Sequence, residues 1–235
     1  MSFAARDGLS GMALPEVVTQ EQWRAARSAL LEQEKALTRA RDALSTRRRE
    51  LPMVEVVKDY RLVGPRGEVG LIDLFEGRRQ LIVRHFMFDP SWDSGCSGCT
   101  AGSDEIADGM LEHLALRDTT MAHVSRAPLE KLERYKWQRA WSFPWYSSYG
   151  SDFNRDFGVT VDEPGGGTAE QPGTSCFLRD GDRVFHTYST FARGAEWTGG
   201  SYAWLDLTAL GRQEEWEEPK GRAADPRPSL PTFAS

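Results

Sequence analysis

The chain has 235 residues, 27% charged and 40% hydrophobic, with a formal net charge of -6. That is enough for one sizeable core with an extension, and the acidic balance argues against nucleic acid as a partner. No stretch approaches the ~20 apolar residues that span a membrane, the first residues lack the basic flank and apolar run of a secretory signal, and three cysteines are too few for a disulfide framework, so a cytoplasmic protein is the expectation.

In chain order, residues 1–15 read as a mobile lead. Thr19 with Gln22 three positions on matches a capping box. A helix follows from Gln20 to about Glu50, stopped at Leu51-Pro52 because proline cannot continue it. Trp23, Leu30, Leu37, Leu44 and Leu51 recur every seven residues, whereas Ala26, Gln33, Ala40 and Arg47 between them are not consistently apolar. Half of a coiled-coil seam is missing, which favours packing on the helix's own domain over a homodimer contact, the other use open to it.

From Val54 the pattern turns to short strands, at Val54–Val56 and Tyr60–Val63, with a turn at Gly64-Pro65-Arg66-Gly67, and Val69–Phe75 leads into a short helix or loop. Leu81–Phe88 is mostly apolar, bounded by Asp89-Pro90, and reads as a central strand. Cys96 opens a predicted helix reaching about Leu116, with Ile106, Met110, Leu111 and Leu114 at helical spacing. A strand at Thr120–Ser125, a helix at Pro128–Ala140 and a short strand at Phe143–Ser148 follow. Asp162–Gly173 is rich in glycine and proline and reads as a loop. Thr174–Leu178 and Arg183–Ser189 flank Arg179-Asp180-Gly181-Asp182, a hairpin signal, and Trp197–Leu210 fits a last helix. The expected division is a helical extension over 1–52, an α/β domain over 53–212 and a tail over 213–235. Strands alternating with helices, then a hairpin, predict a central mixed sheet flanked by helices.

Cys96-Ser97-Gly98-Cys99 is the constellation with clear chemical content. At a helix start the first sulfur meets unpaired backbone N–H groups and the positive end of the helix dipole, which favours the nucleophilic thiolate. Cys99, one turn later, is placed to attack a mixed disulfide formed at Cys96. Asp93, Asp104 and Glu105 oppose a thiolate. Arg84, His85 and Arg126 are candidates to compensate; Arg84 and His85 alternate on one strand, so only one of them faces the site. Arg126, at the end of the neighbouring strand, is the best placed. A metal site would need further ligands from Cys176 and one of His85, His113, His123 or His186, and the sequence has no second Cys-x-x-Cys or closely spaced His pair. Cys176 reads as a core cysteine, and the aromatic run Trp137–Tyr149 as packing. Gly165-Gly166-Gly167 lacks the Lys-Ser/Thr of a phosphate loop, so no cofactor is expected.

Leu51-Pro52 with Lys58-Asp59-Tyr60, Arg79–Phe88, Gly95-Cys96 with Cys99, Val124–Glu133, Ser142–Val159 and Phe177–Gly194 together resemble a thioredoxin-like protein. They are most similar to the bacterial family known as domain of unknown function 899, whose members carry the label dithiol-disulfide oxidoreductase. The resemblance implies a thioredoxin-like fold with an N-terminal helical extension. Two departures matter. Thr174 stands where thioredoxins usually carry a cis-proline facing the active site, a substitution more like peroxiredoxins. Pro90, Ser94 and Cys96 miss the peroxiredoxin Pro-x-x-x-Thr/Ser-x-x-Cys spacing by one residue. Trp92, in the loop before the pair, and Thr174 are the candidates to line a substrate groove. The function expected is a thiol–disulfide oxidoreductase, with peroxide as a further substrate, Cys96 as nucleophile and Cys99 as resolving thiol. Two other readings stay open: a copper carrier using Cys96, Cys99 and His85, and a non-enzymatic interaction protein acting through the N-terminal helix.

Overall fold

The computed structural model describes residues 14–221 and 226. Most of the expected lead over 1–15, and part of the expected tail over 213–235, lie outside the described residues. Among the described residues no helix is long and apolar enough to cross a membrane.

The described residues form two compact units, one holding those up to 50 together with those from 201 on, the other those from 51 to 200. The first contains α1 (Gln20–Arg49). Thr19 accepts from the Gln22 N–H and the Gln22 side chain returns a bond to Thr19, the capping box read from the sequence. Arg47, Arg48 and Arg49 occupy the last turn, where positive charge complements the helix dipole. No residue of α1 is buried, and Trp23, Leu30, Leu37 and Leu44 are each about half exposed, in contrast to the packed stripe expected.

The second unit runs β1 (Val54–Glu55), β2 (Arg61–Gly64), β3 (Gly67–Gly70), β4 (Gln80–His85), α2 (Ser97–Asp104), α3 (Asp108–Ala115), β5 (Thr119–Ser125), α4 (Leu129–Arg139), β6 (Trp145–Ser147), α5 (Phe153–Asp156), β7 (Thr160–Asp162), β8 (Thr168–Glu170), β9 (Gly173–Asp180) and β10 (Arg183–Phe191). One sheet has the order β1-β10-β9-β4-β5-β6-β2-β3. Strands β4, β5 and β6 are parallel neighbours joined by helical crossovers, while β9 lies antiparallel on the other side of β4 and pairs with β10 as a hairpin. A parallel β-α-β unit with an antiparallel hairpin laid against its first strand is the thioredoxin-like arrangement, here widened by β6 and the β2–β3 hairpin at one edge and by β1 at the other.

Alternation along β4 sends Leu81, Val83 and His85 into one face and Ile82 and Arg84 toward the other. The first face joins Leu81, Val83, Ala122, Val124 and Phe177 to Leu74, Phe75 and Phe153. The opposite layer gathers Phe86, Phe88, Leu132, Phe143 and Trp145, with Cys99, Ile106 and Tyr135 packed against it. Polar groups inside the first layer are stitched across three strands. His85 Nε2 lies 2.8 Å from Ser175 Oγ, which lies 2.7 Å from Ser189 Oγ, itself 2.7 Å from His186 Nε2. A bulge between His186 and Tyr188, with Thr187 as its extra residue, interrupts the β9–β10 register in the middle of this chain.

Three expectations change. The helix expected from Cys96 to Leu116 is two helices, broken at Glu105–Ala107. The loop expected over Asp162–Gly173 contains the β7–β8 hairpin, paired from Thr160 with Glu170 to Asp162 with Thr168. In place of one helix over Trp197–Leu210 there is a 3-10 segment at Ala192–Thr198 and a helix at Gly200–Leu205.

Candidate active site

The loop from Asp89 to Gly95 leaves the end of the central strand and delivers Cys96 as the N-cap of α2. Its course is fixed at several points. The Cys96 N–H donates to the Met87 carbonyl at 3.0 Å, closing the loop on the strand it came from. Lys131 on α4 donates to the carbonyls of Pro90 at 2.7 Å and Trp92 at 2.9 Å. Gly95 passes beneath the Phe86 ring so closely that a Cβ there would lie 2.5 Å from Phe86 Cε1, which excludes any larger residue without moving the ring. The Thr100 hydroxyl donates to the Cys96 carbonyl at 2.8 Å and meets the Tyr135 hydroxyl at 3.0 Å, tying the first turn of α2 to α4.

All three cysteines are free thiols, and each is partly buried. Cys96 caps α2 without a side-chain cap hydrogen bond; the Cys99 S–H and the backbone N–H groups of Cys99 and Gly98 are the groups that favour its thiolate. These donors outweigh burial and draw its pKa down to about 6. Cys99 is pushed the other way: holding its proton toward Cys96, and its own burial, raise it, against an N–H from Met87 and the positive charge of Arg84. The pair is therefore polarised, with the negative charge on Cys96 and the proton on Cys99. Alkylation by iodoacetamide is expected to modify Cys96 selectively, with a midpoint near pH 6. Cys99→Ala removes the S–H donor and is expected to move that midpoint upward. A midpoint unchanged by Cys99→Ala, or preferential alkylation of Cys99, contradicts this electrostatic picture.

The other residues read from the sequence fall into different places. Trp92 stands 38% exposed in the thiol loop. Thr174 pairs with Arg84 in the β4–β9 register and is half-buried. Arg126 is engaged by groups other than the thiols: it donates to Asp89, to Glu170 at 3.1 Å and to the Thr168 hydroxyl at 3.3 Å. Burial raises the Glu170 carboxyl above its ordinary range. Asp89 is raised by burial too but is held low by the Ser91 hydroxyl and N–H and by Arg126. Arg126 is thus a bracket between the thiol loop and the β7–β8 hairpin, in place of the expected thiolate counter-charge. A cavity of about 300 Å³ beside this bracket is lined by Pro90, Arg126, Ser148, Tyr149, Asn154 and Arg155, and neither thiol lines it.

His85, offered as a third ligand in the copper-carrier reading, points into the opposite layer and is spoken for by Ser175. Burial, reinforced by His186, drops its pKa to about 3. Among the described residues no group of three or more His, Cys, Asp or Glu side chains is arranged to hold a metal. Of the two alternating residues on β4, Arg84 is the one that faces α2: a Cβ on Gly102 would lie 3.3 Å from its Nη2. Lys131 was invisible to sequence reasoning, because its targets are backbone carbonyls 39 and 41 positions away.

Among solved structures, the chain is similar to peroxiredoxin Q of Xanthomonas campestris, with 14% identity and a TM-score of 0.45 over 60% of this chain and 86% of that one. It is similar to the peroxidoxin BcpB of Mycobacterium tuberculosis, with 20% identity and a TM-score of 0.46 over 60% of this chain and 86% of that one. A peroxiredoxin-like protein of Aquifex aeolicus matches with 13% identity and a TM-score of 0.40 over 59% of this chain and 72% of that one. No curated protein matches the sequence. The model of the family described as "Bacterial protein of unknown function (DUF899)" matches residues 12–226, and the chain belongs to that family.

Proposed function

We propose that this protein is a thiol–disulfide oxidoreductase in which Cys96 attacks and Cys99 resolves. The observation that carries the reading is the placement of Cys96 at the N-cap of α2, one turn before Cys99, where the Cys99 thiol and the N–H groups of Cys99 and Gly98 lower its pKa. A thiolate there attacks one sulfur of a substrate disulfide, forming a Cys96–substrate bond and releasing the other sulfur as thiolate. Cys99 then gives up its proton and attacks the Cys96 sulfur. The protein disulfide forms as the Cys96–substrate bond breaks, so two protein thiols are oxidised and one substrate disulfide becomes two thiols. The same two thiols serve a peroxide: Cys96 attacks one peroxide oxygen, the O–O bond breaks to give a sulfenic acid at Cys96 and the other oxygen leaves as water or an alcohol, and condensation with Cys99 then forms the disulfide and releases water. A dithiol that must be re-reduced after each turnover suits a reducing compartment, and the cytoplasm is the proposed location.

The test is direct. Reduced protein treated with oxidised glutathione or hydrogen peroxide is expected to lose two titratable thiols, with peptide mapping finding a Cys96–Cys99 disulfide and Cys176 still free. A pair that stays reduced with both oxidants would overturn the proposal.

A further inference from the structure

Arg84 has neither a hydrogen bond nor an ion pair with any described residue, although its guanidinium is tucked between the sheet and α2. It is only partly exposed there, and the carboxylate that acts on it, Glu105, makes no hydrogen bond or ion pair with it. The groups around it are identifiable. Cys99 and Gly102 come from α2, and Glu105 caps the end of that helix. His123 comes from β5 and Thr174 from β9, both in register with Arg84. Glu105 already accepts from the Gly200 N–H at 2.7 Å. His123 bonds Ser103 at 3.2 Å and is kept neutral by burial and by the charges of Arg84 and Lys136. Cys99 is protonated at rest, its S–H turned toward Cys96. The resting site therefore offers Arg84 no thiolate, while the reaction produces one beside it.

We propose that Arg84 is a positioning residue for the second half of the exchange, its guanidinium resting in the slot left by Gly102 until Cys99 ionises. This rests on the dithiol reading above and deepens it. Once Cys96 is bound to substrate, the negative charge that held the Cys99 proton is gone. The Cys99 proton leaves to solvent, the thiolate forms beside Arg84, and its electron pair makes the Cys96–Cys99 bond while the substrate sulfur departs with the pair from the broken bond and takes up a proton. Arg84 is not among the groups that act on Cys96, so its influence is confined to this step. Gly102 is what allows it, because a side chain there would press on Nη2.

The experiment is stopped-flow reaction of fully reduced protein, in a Cys176→Ser background, with one equivalent of 2,2′-dithiodipyridine, following release of the thiopyridone. Attack by Cys96 releases the first equivalent and resolution by Cys99 the second. Arg84→Met is expected to leave the first phase and its pH midpoint unchanged. It should slow the second about tenfold at neutral pH and raise that phase's midpoint by about one unit, the effect of losing one neighbouring opposite charge. Arg84→Lys is expected to restore most of the second phase, and Gly102→Ala, which displaces the guanidinium but keeps its charge, to slow it by less. If Arg84→Met fails to fold, the Lys and Gly102→Ala variants decide alone. An unaltered second phase, or equal slowing of both phases with no shift in midpoint, overturns the role of Arg84. A single equivalent from the unaltered site would sink the dithiol reading itself and Arg84's role with it, a result distinct from either.

Discussion

Cys96→Ser is expected to bring disulfide turnover to the uncatalysed background, a fall of at least about a thousandfold, because it replaces the one thiol whose surroundings favour the anion. Serine keeps the size and the N-cap position, so the loss is chemical and folding is retained. Cys99→Ser separates the two halves of the mechanism. The first attack persists, and with oxidised glutathione the protein accumulates as a Cys96–glutathione mixed disulfide that intact-mass measurement detects. The roles follow from placement: donors favour the Cys96 thiolate, whereas Cys99 is packed into the layer with Phe86 and Trp145 and keeps its proton. A Cys96→Ser protein with full turnover, or a Cys99→Ser protein that still completes it, would show the assignment to be wrong.

Arg126→Met is expected to destabilise the protein by about 3 kcal/mol at neutral pH, the usual cost of removing one partner from a buried ionic cluster. The Glu170 side chain is only 2% exposed and that of Asp89 16%, so neither carboxylate regains its water when the guanidinium is gone. The penalty should depend on pH with a definite sign. Burial raises the folded-state pKa of Glu170, and losing Arg126 raises it further. A carboxyl whose folded pKa lies above its unfolded value weakens folding as pH rises through that interval. Asp89 is the opposite case. Its pKa is lowered in the intact protein, so its favourable contribution is present above the ordinary carboxylate range and fades on acidification. Both effects narrow the difference between the intact protein and the variant as pH falls from about 7.5 toward about 4, which urea unfolding at each pH measures. A gap that is constant or wider in acid contradicts the bracket. The alkylation midpoint of Cys96 is expected to stay where it is in this variant; an upward shift would return Arg126 to the role of thiolate counter-charge.

Sequence reasoning reached those features whose signals are local. Thr19 and Gln22 announce α1 because the capping box is made within one turn, and Asp180-Gly181 announces the β9–β10 hairpin because the turn needs its own residues. The break between α2 and α3 has no such signal: Ala107 caps α3 with no side-chain bond, and the apolar spacing runs on across it. The β7–β8 hairpin hides among residues that read as loop, since each strand is three residues long. The site shows the same division. The thiols and their helix start were legible as a motif. The choice between Arg84 and His85 was not, because alternation says that they part company without saying which way, and the outcome was settled by Gly102 making room above one face. The assignment of Arg126 to Asp89 and Glu170 depended on a hairpin the sequence did not reveal.

The bulge at Thr187 gives the hydrogen-bonded chain from His85 to His186 an unforeseen dependence on counting. In an uninterrupted strand, positions 186 and 189 differ by an odd number and face opposite sides; the extra residue restores their parity, and only then can Ser189 bridge Ser175 and His186. Forcing Thr187 into the regular ladder would turn the outer half of β10 inside out, exchanging the faces shown by Tyr188 and Ser189 relative to the residues before them, whereas deleting it would leave His186 and Ser189 two positions apart and on one face. The strand thus carries an arithmetic check on its own alignment, written in backbone geometry and read out by two serines.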